Sequence, residues 1–150
     1  MLRINRETDY SVVILSAMAR RPTERFNAAQ LAAAHGLPQP MVSKVMKQLV
    51  HAGLLCSFRG AKGGYGLARS PQEISVAEVI EAVEGPIAFT ECVEKGTSNC
   101  GHVTGCTASA TWLRISELVR TTLAEVSLAE MSKPTGERVG LHPRHEVIGH

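Results

Sequence analysis

Apolar residues recur at helical spacing from the start of the chain. Tyr10, Val13, Ile14, Ala17 and Met18 share one helical face, and Asn5 stands where an N-cap belongs. The pattern predicts a helix running to about Arg20 and ended by Arg20-Arg21-Pro22. Asn27 caps a short second helix over Ala28–His35, with Leu31 and Ala32 inward. Gly36-Leu37-Pro38 reads as a turn, because glycine tolerates positive φ and proline stops a helix. A third helix is predicted over about Pro40–Ala52. Its apolar stripe is Val42, Val45, Met46, Leu49 and Val50, and its polar face is Ser43, Lys44, Lys47, Gln48 and His51. Gly53 suits the C-terminal cap.

The period then changes. Leu54–Arg59 is strand-like, Gly60-Ala61-Lys62-Gly63-Gly64 is a glycine-rich tip, and Tyr65–Ala68 returns, which predicts a hairpin. Cys56, between Leu55 and Ser57, reads as a packing residue. Ser75-Val76-Ala77-Glu78 is a capping box opening a helix that ends at Gly85-Pro86. Residues 90–106 form a loop with three cysteines. Thr107–Met131 predicts one long helix in which Ala108, Trp112, Ile115, Val119 and Val126 keep nearly heptad spacing. Lys133–His150 has no apolar period and is expected to be a flexible tail.

Charge sharpens this picture. The chain has 150 residues and a formal charge of +2. Residues 1–70 carry 10 Lys/Arg and 3 Asp/Glu, net +7, whereas residues 71–150 carry 6 and 11, net −5. A basic front half implies an anionic partner. With 44% hydrophobic residues the chain can bury a core, which excludes wholesale disorder. Its longest apolar run, about Val12–Ala19, is far short of the roughly 20 residues of a membrane span. Met1-Leu2-Arg3-Ile4 lacks the apolar core of a signal peptide. A cytoplasmic protein with no membrane partner is expected.

Helix, glycine turn and second helix make a helix-turn-helix pattern. The third helix presents Ser43, Lys44, Lys47 and Gln48 outward, with Gln39 at its start, as a major-groove recognition helix would. The Arg59–Tyr65 hairpin is then a wing, its glycines allowing close approach and Arg59 and Lys62 reaching phosphate or the minor groove. The candidate DNA-binding residues are Gln39, Ser43, Lys44, Lys47, Gln48, Arg59, Lys62, Gly63, Gly64 and Tyr65. Similar helix pairs occur in proteins that never touch DNA, but the wing and the basic half favour duplex DNA. Gly60–Gly64 lacks the Gly-Lys-Ser/Thr ending of a phosphate-binding loop. The expected fold is mainly α with a small β-hairpin wing. Its parts are a winged helix-turn-helix over 1–85, a cysteine loop over 86–106, a dimerisation helix over 107–131 and a tail over 132–150.

Cys92, Cys100 and Cys106 have spacing C-x7-C-x5-C. In a reducing cytosol such thiols point to metal or redox chemistry. Thiolates suit zinc, copper(I) or an iron–sulfur cluster, and three of them leave one position open. His102 would complete a Cys3His zinc site. The spacing is not that of a zinc ribbon, and clusters tolerate longer spacings. A thiol-based enzyme is a third reading. No CxxC and no obvious Cys–His–acid grouping supports it.

Taken together these segments resemble the Rrf2 family of winged-helix transcription regulators that sense iron–sulfur clusters. The resemblance is carried by Thr8-Asp9-Tyr10, Leu37 with Val42-Ser43-Lys44, the wing Arg59–Tyr65, Ile74–Ile80, Glu84-Gly85-Pro86, the three cysteines and Trp112. It covers about residues 1–131 and is greatest toward regulators of the SUF cluster-assembly operon. It implies a homodimer crossing through the long helix and, by its two-fold axis, a palindromic operator. It also implies an iron–sulfur cluster on Cys92, Cys100 and Cys106, two-iron (2Fe–2S) ahead of four-iron (4Fe–4S), and control of cluster-assembly genes. A nitric-oxide- or redox-sensing repressor of the same family is the alternative. The IscR type has a histidine three residues after the third cysteine, where this chain has Ser109. NsrR-like members use an aspartate near the start of helix 1 of the partner chain. The matching residue is Asp9, with Glu7 and His102 the other candidates for fourth ligand.

Overall fold

The computed structural model describes residues 3–94 and 106–134. Helix α1 spans Arg6–Ala19, and its N-cap Asn5 accepts the Thr8 N–H at 2.8 Å. Its buried face is Thr8, Ser11, Ile14, Leu15, Met18 and Ala19. That face is rotated from the predicted one: Tyr10, Val13 and Ala17 are only half-buried. Two hydroxyls explain the rotation. Ser11 Oγ donates to the Glu7 carbonyl at 2.7 Å and Thr8 Oγ1 donates to Glu84, so both sit inside with their polar atoms satisfied.

Helix α2 spans Ala28–His35, from the Asn27 cap to Gly36 at φ 62°. Helix α3 spans Gln39–His51, with Pro40 tolerated in its first turn. Val42, Val45, Met46 and Leu49 of α3 meet Ile14, Leu15 and Met18 of α1 in a fully buried core. Strands β1 (Leu55–Phe58) and β2 (Gly64–Leu67) pair antiparallel, Leu55 opposite Leu67 and Phe58 opposite Gly64. The Phe26 backbone adds a bridge to this hairpin, exchanging hydrogen bonds with Tyr65 at 2.8 and 2.7 Å. Cys56 does not pack as expected. Strand alternation turns Leu55 into the core and leaves Cys56 exposed.

Helix α4 spans Val76–Glu84 behind the Ser75–Glu78 capping box. A single turn α5 (Glu91–Glu94) precedes α6 (Thr107–Ala124). The predicted long helix to Met131 is not continuous. It breaks after Ala124, and α7 (Leu128–Met131) restarts behind a second capping box, Ser127–Glu130. Tertiary hydrogen bonds outweigh helix continuation here: the Val76 N–H donates to the Val126 carbonyl at 2.9 Å, and the Leu128 N–H donates to the Ile74 carbonyl at 2.7 Å. Leu128, 1% exposed, thereby joins the core. Val126 accordingly leaves the heptad line. Ile115 and Val119 are half-buried, and Ala108 and Trp112 are exposed. The fold is mainly helical with a two-stranded hairpin, the architecture expected. Among the described residues no helix is long and apolar enough to cross a membrane.

Candidate nucleic-acid interface and cysteine segment

Helix α3 is held by its apolar stripe, which leaves Gln39, Lys44 and Lys47 exposed and Ser43 half-buried. Lys44 is already engaged: its Nζ lies 2.6 Å from Glu7 Oε1 on α1. Gln48 is half-buried on α3. Its Oε1 is buried without a hydrogen-bond partner among the described residues, so the amide is turned inward.

The wing places Arg59, Gly60, Ala61 and Lys62 in solvent. Its two other glycines serve the fold itself. A Cβ on Gly63 would lie 2.5 Å from the Phe58 carbonyl oxygen, and one on Gly64, at φ +132°, 2.7 Å from the Phe26 carbonyl oxygen. Tyr65 is half-buried and packs against the core rather than projecting outward. Sequence reasoning missed Arg25. Its guanidinium stacks 3.8 Å from the Phe58 ring centroid, and its Nη1 donates to the Lys62 carbonyl at 3.0 Å. One side chain thus grips the base and the tip of the wing. Nothing local to Arg25 signals this, because both partners lie in a later element.

The cysteine segment is anchored on α6. The Phe89 N–H donates to Ser116 Oγ at 3.2 Å, and Ser116 Oγ donates to the Trp112 carbonyl at 2.8 Å. The Phe89 and Trp112 rings stack at 6.3 Å between centroids. Cys92 follows, half-buried, its Sγ 3.0 Å from Thr90 Oγ1. Cys106 is the N-cap residue of α6 and is exposed. Both are free thiols. Cys100 and His102 lie outside the described residues. Asp9 is exposed in the first turn of α1 and lines a surface cavity with Ile4, Asn5, Arg6, Val12 and Met131. Among the described residues no three ligating side chains converge. The donor chemistry nonetheless fits a thiolate-ligated metal or cluster: free thiols stand at Cys92 and at Cys106, the N-cap residue of α6.

Helix α6 links this segment to the helical core through α4. Arg120 Nε donates to Glu81 Oε1 of α4 at 2.8 Å. Helix α4 is tied to α1 in turn, since Glu84 Oε1 accepts from the Asn5 N–H at 3.0 Å and from Thr8 Oγ1 at 2.6 Å.

Residues 4–134 match the family model described as Rrf2, iron-dependent transcriptional regulator. The HTH-type transcriptional regulator IscR of Xenorhabdus nematophila is 30% identical over 133 residues, 88% of this chain and 80% of that protein. The HTH-type transcriptional regulator NsrR of Oceanobacillus iheyensis is 29% identical over 107 residues, 71% of this chain and 73% of that protein. Among solved structures, CymR, the global cysteine regulator of B. subtilis, superposes with a TM-score of 0.69 at 26% identity, covering 88% of this chain and 97% of that one. These relatives are transcriptional regulators, not enzymes.

Proposed function

Because this chain belongs to the Rrf2 family of transcriptional regulators, we propose that it is the cluster-sensing kind, binding duplex DNA through α3 and the wing. Cys92, Cys100 and Cys106 would hold the iron–sulfur cluster, a two-iron cluster ahead of a four-iron one. The observation that carries this reading is that Phe89, three residues before Cys92, is bonded to α6, whose N-cap residue is Cys106 and which Arg120 ties to α4.

The chain's own residues divide the work. Lys47, Arg59 and Lys62 are exposed cations with no ion pair among the described residues, which suits phosphate. Gln39 and Ser43 at the start of α3 are placed to read base edges. Two copies related by a two-fold axis would read a palindromic operator, and the exposed Leu113 and Leu118 of α6 leave apolar surface for that pairing. When bound, the cluster supplies a centre responsive to iron and redox state at the segment between α5 and α6. Asp9 of the second copy is the proposed fourth ligand, since Ser109 stands where a histidine would otherwise serve. The regulated genes are proposed to be those of SUF-type cluster assembly, and the site of action the cytoplasm.

Anaerobic purification with iron, sulfide and zinc analysis tests the cofactor. A brown protein with iron and sulfide in equal amounts, lost on Cys92→Ser, supports the reading. A colourless protein carrying zinc makes the cysteines a structural metal site instead. Unchanged cluster spectra and stability in Asp9→Ala would remove Asp9 from the ligand set.

A further inference from the structure

Helix α3 exposes two lysines, and only one is paired. Lys44 Nζ sits 2.6 Å from Glu7 Oε1, while Lys47 has no ion pair among the described residues. Glu7 is one of only three acidic residues in the basic first 70. It is also held firmly. Its backbone carbonyl accepts from Ser11 Oγ at 2.7 Å, and the same helical turn is pinned to α4 by the Thr8–Glu84 hydrogen bond. The Glu7 side chain is 24% exposed and that of Lys44 57%, so a half-buried carboxylate meets an exposed ammonium at the surface.

A carboxylate oxygen and a phosphate oxygen accept the same charge-assisted hydrogen bond from an ammonium group. Lys44 has three N–H donors, so Glu7 competes by holding the ammonium against α1 and offsetting its charge, not by filling a single donor position. We propose that Glu7 is a built-in competitor for DNA phosphate: it holds Lys44 against α1 in the free protein, and the exchange of Glu7 for phosphate sets how tightly the protein grips DNA. This rests on the reading of α3 as the DNA-binding helix. It adds a residue outside the helix-turn-helix and the wing that determines affinity, and it does so by weakening binding.

The size follows from the exposure of the pair. Exposed ion pairs contribute little, and releasing one corresponds to about a two- to fivefold change in an equilibrium constant. The probe is a duplex of mixed sequence, whose binding is governed by phosphate contacts, followed by fluorescence anisotropy across a salt series. Four proteins are compared: wild type, Glu7→Gln, Lys44→Ala and the double variant, each with circular dichroism matching the wild type. Glu7→Gln is expected to tighten binding by about two- to fivefold and to steepen the salt dependence by up to about one ion. The gain should vanish when Lys44 is alanine. A gain of the same size in the Lys44→Ala background would show a bulk charge effect and overturn the proposal. So would unchanged or weaker binding by Glu7→Gln. In either case wild-type binding that weakens on Lys62→Ala would leave the DNA reading standing, whereas a wild type that binds no duplex removes both.

Discussion

Thr8 Oγ1 donates a 2.6 Å hydrogen bond to Glu84 Oε1, joining the first turn of α1 to the last turn of α4. Thr8 is fully buried, and the same carboxylate oxygen accepts the Asn5 N–H. Glu84→Ala strands a buried hydroxyl and is expected to cost about 1–3 kcal/mol. Thr8→Val keeps the shape and leaves Glu84 exposed with the Asn5 N–H, so it should cost less. Urea unfolding at unchanged m-value compares the two, and equal costs would contradict this account.

Arg25 braces the wing, stacking on Phe58 and donating to the Lys62 carbonyl. Arg25→Ala and Arg25→Lys should both weaken DNA binding, because lysine keeps the charge but loses the flat stack on Phe58. The salt slope should stay at the wild-type value, whereas Lys62→Ala should flatten it by about one ion. A slope that falls in Arg25→Ala by as much as in Lys62→Ala would assign Arg25 to phosphate contact instead.

Gly64 occupies a backbone conformation that side chains avoid, with its missing Cβ pointed at the Phe26 carbonyl. Gly64→Ala is expected to cost about 1–3 kcal/mol of stability and to disrupt the Phe26–Tyr65 bridge. Thermal unfolding unchanged from the wild type would show that the wing closes differently.

The two capping boxes give the protein an acid-labile component. Burial works against the Glu78 charge, but the Ser75 N–H, the Arg69 guanidinium and the Ser75 hydroxyl outweigh it and hold the carboxyl below its ordinary range. The Ser127 backbone N–H and hydroxyl do the same for Glu130. A carboxylate depressed in the folded state adds stability above its ordinary pKa and loses it as pH falls through the folded value. Stability should therefore decline as pH drops below the ordinary carboxylate range, near about 4. Ser75→Ala should lower stability by about 1 kcal/mol at neutral pH and flatten that decline. Urea unfolding as a function of pH reads both effects.

Features decided within a few residues were legible in the sequence: the Asn5, Asn27 and Ser75 caps, the Gly36 turn and the α3 stripe all stand where expected. The break in the long helix also had a local signal, since Ser127-x-x-Glu130 repeats the pattern of Ser75-x-x-Glu78. The heptad spacing across it masked that signal. Cys56 was open to the same kind of check, because an inward Leu55 turns its neighbour outward. Other features depend on distant partners. The face of α1 turns on Glu84, the grip on the wing on Arg25, and the pose of Lys44 on Glu7. No periodicity along the chain encodes those pairings.

The central claim is that a cluster on Cys92, Cys100 and Cys106 governs DNA binding. The most direct measurement is the affinity of anaerobically purified, iron- and sulfide-quantified protein and of its cluster-free form for one palindromic duplex selected from a random pool. The two forms are expected to differ by about tenfold or more, equivalent to ~1.4 kcal/mol. Equal affinities for the loaded and stripped forms, or a purified protein that carries no iron and sulfide, would contradict it.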